Sequence, residues 1–92
     1  MSVTVRIPTP LRKLSAGADQ VEVEGATIGE VLTALESKHP GFQEKILDDK
    51  GALRRFVNIY AGDEDVRFLE GLETKVADGA QVSIVPAIAG GR

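Results

Sequence analysis

The chain contains no cysteine and no tryptophan, and only one tyrosine, one histidine and three phenylalanines among its 92 residues. Without cysteine there is no disulfide, no thiol nucleophile and no Cys-ligated zinc or iron–sulfur site. So few aromatic rings leave no stacking platform for single-stranded nucleic acid. Positive charge is also in short supply: eleven Lys and Arg are dispersed among fourteen Asp and Glu, for a formal net charge of -3. Nucleic-acid binding depends on clustered cations that release counterions from phosphates, so that class is disfavoured. No apolar run approaches the roughly 20 residues that cross a bilayer, and Met1-Ser2-Val3-Thr4-Val5-Arg6 lacks the apolar segment of a secretion signal. The expectation is a cytoplasmic protein that engages neither membrane nor nucleic acid.

What is present is a 42% hydrophobic chain long enough for one domain with one core. A domain this small buries about 60–65% of its unfolded surface, which leaves little volume for a deep internal active site. Chemistry is therefore expected at the surface or in a partner.

Val3-Thr4-Val5-Arg6-Ile7 alternates strictly and is β-branched, the pattern of a strand with one buried face, and Pro8-Thr9-Pro10 stops it. Val21-Glu22-Val23-Glu24 alternates again after a turn at Gly17, predicting a hairpin with a long loop. Thr27, followed three residues later by Glu30, is a capping box that opens a helix. Ile28, Val31, Leu32 and Leu35 then form one apolar stripe, which His39-Pro40-Gly41 ends. Phe42, Ile46 and Leu47 predict a second, short helical piece. Phe56-Val57-Asn58-Ile59-Tyr60 reads as a third strand, Asp65-Val66-Arg67-Phe68-Leu69 as a shorter fourth, and Gln81 to Ile88 as a fifth. Pro86 marks either a sheet edge or the last strand's exit. The order β-β-α-β-β-β, with one main helix over a mostly antiparallel sheet, is an α+β layered fold. In it the helical stripe should pack on Val5, Val57, Ile59, Val82 and Ile84.

Few residues qualify as chemical groups. His39 sits at a helix end, where a cation complements the helix dipole, so a structural role is expected. Asp63-Glu64-Asp65 is consecutive, unlike the alternating ligands of a calcium loop, and reads as a turn with a solvated rim, so no metal site is expected. There is no Gly-x-Gly-x-x-Gly and no Walker sequence, hence no nucleotide site. Phe56 and Tyr60 share the parity opposite to Val57 and Ile59; together with Val85 and Ile88 they are the candidate docking residues. No catalytic constellation stands out.

The strongest signal is the ending, Gly90-Gly91-Arg92. Glycine lacks a Cβ, so a Gly-Gly arm can enter a narrow channel and let another protein's active site approach the main chain. A frayed terminus would look the same at this level. The expected division is a domain over residues 1–88 and a flexible arm over 89–92.

The element order, the capped helix, Phe56-Val57-Asn58-Ile59-Tyr60, Asp63-Glu64-Asp65-Val66-Arg67-Phe68, Asp78-Gly79 and Ala89-Gly90-Gly91 together resemble the MoaD/ThiS family of ubiquitin-like β-grasp sulfur carriers. Within that family, the resemblance is strongest to carriers serving cysteine biosynthesis. It covers nearly the whole chain. It implies a mixed β-grasp sheet and a protein cosubstrate with no cofactor or catalytic site of its own, monomeric when free. It also implies that an ATP-dependent activating enzyme adenylates Gly91, with Gly90 as the channel-threading residue, and that sulfur then gives a thiocarboxylate. A pyridoxal-phosphate cysteine synthase and a zinc metallopeptidase are the implied downstream partners. Arg92 departs from the pattern and reads as a processing site, because such a carrier must end at the second glycine. The alternative is a ubiquitin-like modifier joined to lysines through Gly91, which needs the same terminus and the same activation.

Overall fold

The computed structural model describes residues 2–54 and 57–86. Strands β1 (Ser2–Arg6) and β2 (Gln20–Glu24) form the expected antiparallel hairpin. Their alternate residues Val3, Val5, Val21 and Val23 are buried. The connection between them is more ordered than the two prolines suggest. Pro8 and Pro10 open a 3₁₀ segment, Thr9–Ser15, that buries Leu11 and the Ser15 side chain. The Ser15 hydroxyl donates to the Ala18 carbonyl at 2.7 Å.

Helix α1 (Ile28–Lys38) begins where the capping box places it. Thr27 Oγ1 accepts the Glu30 amide at 3.2 Å, while the Glu30 carboxylate accepts the amide of Ala26 at 2.9 Å, one residue earlier than the usual box. The predicted stripe of Ile28, Val31, Leu32 and Leu35 is fully buried, in one cluster with Val5, Val57, Ile59, Val82 and Ile84. Gly25 is required for this close approach, because a Cβ there would lie 2.8 Å from the Val31 amide nitrogen. The predicted second helix is α2 (Phe42–Ile46), with Phe42 and Ile46 completely buried. It is joined to α1 through the Glu36 carboxylate, which accepts the amides of Gly41 at 3.0 Å and Gln43 at 2.9 Å. Those amides favour the charged form and hold the Glu36 carboxyl below its ordinary range.

Strands β3 (Val57–Ala61), β4 (Glu64–Asp65) and β5 (Gln81–Pro86) complete a five-stranded sheet of order β2-β1-β5-β3-β4. The last strand is central: it runs parallel to β1 and antiparallel to β3. Pro86 is the last described residue of this central strand, and it pairs with β3 only. The predicted fourth strand is corrected. Only Glu64–Asp65 pairs with β3, and Val66–Phe68 is a 3₁₀ turn. The Asp65 carboxylate accepts the Arg67 amide at 2.9 Å and curls the chain, so that Val66 enters the core and Phe68 is turned outward.

Candidate functional site

The sequence points to the carboxy-terminal arm, and the described chain leads up to its root. Gly90, Gly91 and Arg92, together with Ile88 and Phe56 of the docking set, lie outside the described residues. β5 is described as far as Pro86, which sits opposite Val57. Its pairing with β1 stops earlier, at Ser83 opposite Arg6, so residues 84–86 are held by β3 alone. A proline, having no N–H, is suited to a strand position paired on one side only.

The two docking residues that can be placed, Tyr60 and Val85, lie on the sheet face turned away from α1. Their neighbours Ile59 and Ile84 are buried beneath the helix, and successive side chains point to opposite faces. Val85 is 44% exposed and Tyr60 half-buried. Asn58 lies opposite Val85 and Ser83 opposite Tyr60, which puts Val85 and Tyr60 on a diagonal of one open face. Arg67 ties this face to the segment before β3. Its guanidinium donates to Asn58 Oδ1 at 2.8 Å and to the Arg54 carbonyl. The Arg54 guanidinium in turn donates to the Glu44 carbonyl at 3.0 and 3.1 Å.

Two residues absent from the sequence-based docking set belong to the same surface. Phe68 is 87% exposed and Leu69 41% exposed, and they share a shallow concavity with Tyr60. Strand alternation hides them, because it pairs Phe68 with the buried Val66. The available signal is Asp65, whose side chain can close a turn on its own backbone two residues ahead.

His39 and Asp48 have structural partners. His39 closes α1, its amide donating to the Leu35 carbonyl at 2.7 Å and its ring standing edge-on to Phe42. Asp48 accepts the amides of Lys50 and Ala52, chiefly the latter lowering its carboxyl pKa. Asp63 and Glu64 follow the β3–β4 turn at Gly62, where φ is +66°, and remain exposed. Among the described residues no group of three His, Cys, Asp or Glu is placed to hold a metal ion. An open groove of about 720 Å³ beside α1 is lined by Gly29, Thr33, Leu47 and Leu72; one of its carboxylates, Glu30, is engaged by the Ala26 amide.

A mixed sheet crossed by one long helix, with its last strand central, defines a ubiquitin-like β-grasp domain. The ThiS family matches residues 5–91, and the chain belongs to that family. The sulfur carrier protein CysO of Mycobacterium tuberculosis is 50% identical over 93 aligned residues, spanning 99% of this chain and 100% of CysO. The crystal structure of that CysO superposes with a TM-score of 0.89 at 49% identity, over 94% of this chain and 99% of CysO. A chain of the Amycolatopsis orientalis BexX/CysO complex superposes with a TM-score of 0.90 at 45% identity, over 94% and 96% of the two chains. Small archaeal modifier protein 3 of Haloferax volcanii is 35% identical over 68 residues, 74% of this chain and 73% of that protein.

Proposed function

We propose that this protein is a CysO-like sulfur carrier, a cosubstrate that presents Gly91 to an ATP-dependent activating enzyme. The observation that carries this reading is the end-to-end likeness to CysO, a sulfur carrier protein. The family match running to residue 91 and stopping short of Arg92 supports Gly91 as the working terminus. Arg92 makes the Gly91 carbonyl an internal amide with no free carboxylate, so its removal comes first. The freed carboxylate oxygen attacks the α-phosphorus of ATP, pyrophosphate leaves, and an acyl-adenylate forms. A hydrosulfide sulfur then attacks the acyl carbon and AMP leaves, giving the thiocarboxylate. The activation is necessary because a bare carboxylate would have to expel oxide.

The finer assignment is cysteine synthesis in the cytoplasm. There the thiocarboxylate sulfur displaces the leaving group on the β-carbon of an activated serine held by a pyridoxal-phosphate cysteine synthase, the Gly91 acyl group passes from that sulfur to the amino-acid nitrogen, and a zinc metallopeptidase hydrolyses the resulting amide to release cysteine. The domain of residues 1–88, monomeric when free, supplies the docking face with Phe56, Tyr60, Val85 and Ile88. Gly90 threads the channel. The likeness to a small archaeal modifier protein supports a second reading, conjugation of Gly91 to lysines of other proteins.

The test compares the full chain with a form ending at Gly91, each incubated with the cognate activating enzyme, ATP and sulfide. Intact-mass measurement should show oxygen replaced by sulfur only in the Gly91-ending form. Sulfur on a chain that still carries Arg92, or none on the Gly91-ending form, would overturn the carrier reading. Isopeptide-linked lysine adducts would support the modifier reading instead.

A further inference from the structure

We propose that the turn after β4 is a docking ledge, and that its occupant is an apolar socket rimmed by Lys or Arg on the activating enzyme. This inference rests on the carrier reading and adds the chemistry of the partner surface. The ledge consists of Tyr60, Phe68 and Leu69 around a concavity of about 370 Å³, bordered by Asp63, Glu64 and Asp65.

The exposure of Phe68 is built into the fold. Val66 anchors the turn at zero exposure, and the Asp65 carboxylate accepts the Arg67 amide at 2.9 Å. The Leu69 amide donates to the Val66 carbonyl at 3.0 Å, and the Glu70 amide to Thr74 Oγ1 at 3.0 Å. The Arg67 guanidinium is fastened to Asn58. A phenyl ring displayed by so well-tied a turn needs little further ordering on association, and rigid aromatic anchors dominate interface energetics.

Charge selects the occupant. Three consecutive carboxylates beside the ring repel phosphate-bearing surfaces such as nucleic acid and anionic lipid. A second copy of the chain, docked about a two-fold axis through this patch, would set Asp63 and Glu64 against their own images. A cationic protein surface with an apolar centre complements both features. Position points to the enzyme that handles the terminus. The pairing of Tyr60 with Asp65 makes the ledge continuous with the open face bearing Val85, on the strand that leads toward the terminus. A partner seated on that face while it takes up the terminus would reach the ledge.

The experiment is calorimetric titration of the full 92-residue chain into its activating enzyme. Phe68→Ala and the double variant Asp63→Asn/Glu64→Gln should each weaken Kd about tenfold. The double variant should also flatten the dependence of Kd on salt. Asp19→Asn/Glu24→Gln, an equal change of two charges at the β2 edge of the sheet, opposite β4, should leave Kd within about twofold, as expected for charges outside the interface. All the altered side chains are exposed, and thermal melts verify that the variants fold. Equal Kd values across the set would overturn the ledge. If the Gly91-ending form gains sulfur normally while Kd ignores the ledge, the ledge fails and the carrier reading stands. If binding depends on the ledge but no sulfur is transferred, the ledge stands and the carrier reading fails.

Discussion

Leu32 is 1% exposed at the centre of the helical stripe and faces the sheet, so shortening it leaves a cavity that backbone on both sides cannot close. Leu32→Ala should cost about 2–5 kcal/mol in denaturant melts, and a loss below about 1 kcal/mol would place the buried face elsewhere. Glu36 acts differently, through charge. Its carboxylate, held by the Gln43 and Gly41 amides, has a folded pKa below the ordinary 4.5. It therefore binds its proton less readily folded than unfolded, and stabilises the protein above the unfolded pKa. That contribution is lost as pH falls through the folded value, and Asp48, also lowered, follows the same sign from its ordinary 3.8. Glu36→Gln should lower the melting temperature at pH 7, and the gap from wild type should narrow as the melts are moved below about pH 4.5. The stripe residue is legible in the sequence because helical spacing alone selects it. Glu36 is not, since its partners at 41 and 43 come within reach only after Gly41, at φ +114°, has turned the chain back.

At the scale of elements, α1 is the clearest part of the sequence, because a cap and a stripe are both set within a few residues. Thr27→Ala removes the acceptor of the Glu30 amide and should cost about 1 kcal/mol, with Thr27→Ser recovering most of it. Chemical denaturation of the three proteins checks this, and a Ser variant no better than Ala would assign the loss to packing. The 3₁₀ segment between β1 and β2 escapes a sequence reading because prolines announce where a strand stops and say little about the conformation beyond it. The fourth strand is over-read for a related reason. Val66 and Phe68 share a parity, yet the alternation carries no information about whether Asp65 will fold back onto the Arg67 amide. Two residues of ladder and a turn are the result, and with them the outward Phe68.

For the whole molecule, the functional reading places the chemistry on a terminus and recognition on a sheet face. Gly91→Ala, in a form ending at residue 91, should bind the activating enzyme with Kd within about threefold of the glycine form and gain sulfur much more slowly, since a methyl narrows the backbone angles and crowds a channel. Binding lost along with transfer would show that residue 91 is part of the grip. Taken by itself, the sequence determined the elements with local signatures: the strictly alternating strands and the capped helix with its apolar stripe. It also picked out the helix and strand residues of the core, because parity and helical spacing assign faces without knowing which strands are neighbours. Only the tertiary structure decided that β5 lies between β1 and β3, that Pro86 is paired on one side only, and that Tyr60, Val85 and the Phe68 turn share one open face. Those relations join residues far apart in the chain, and they are fixed by which strand edges pair once the helix has covered the other face.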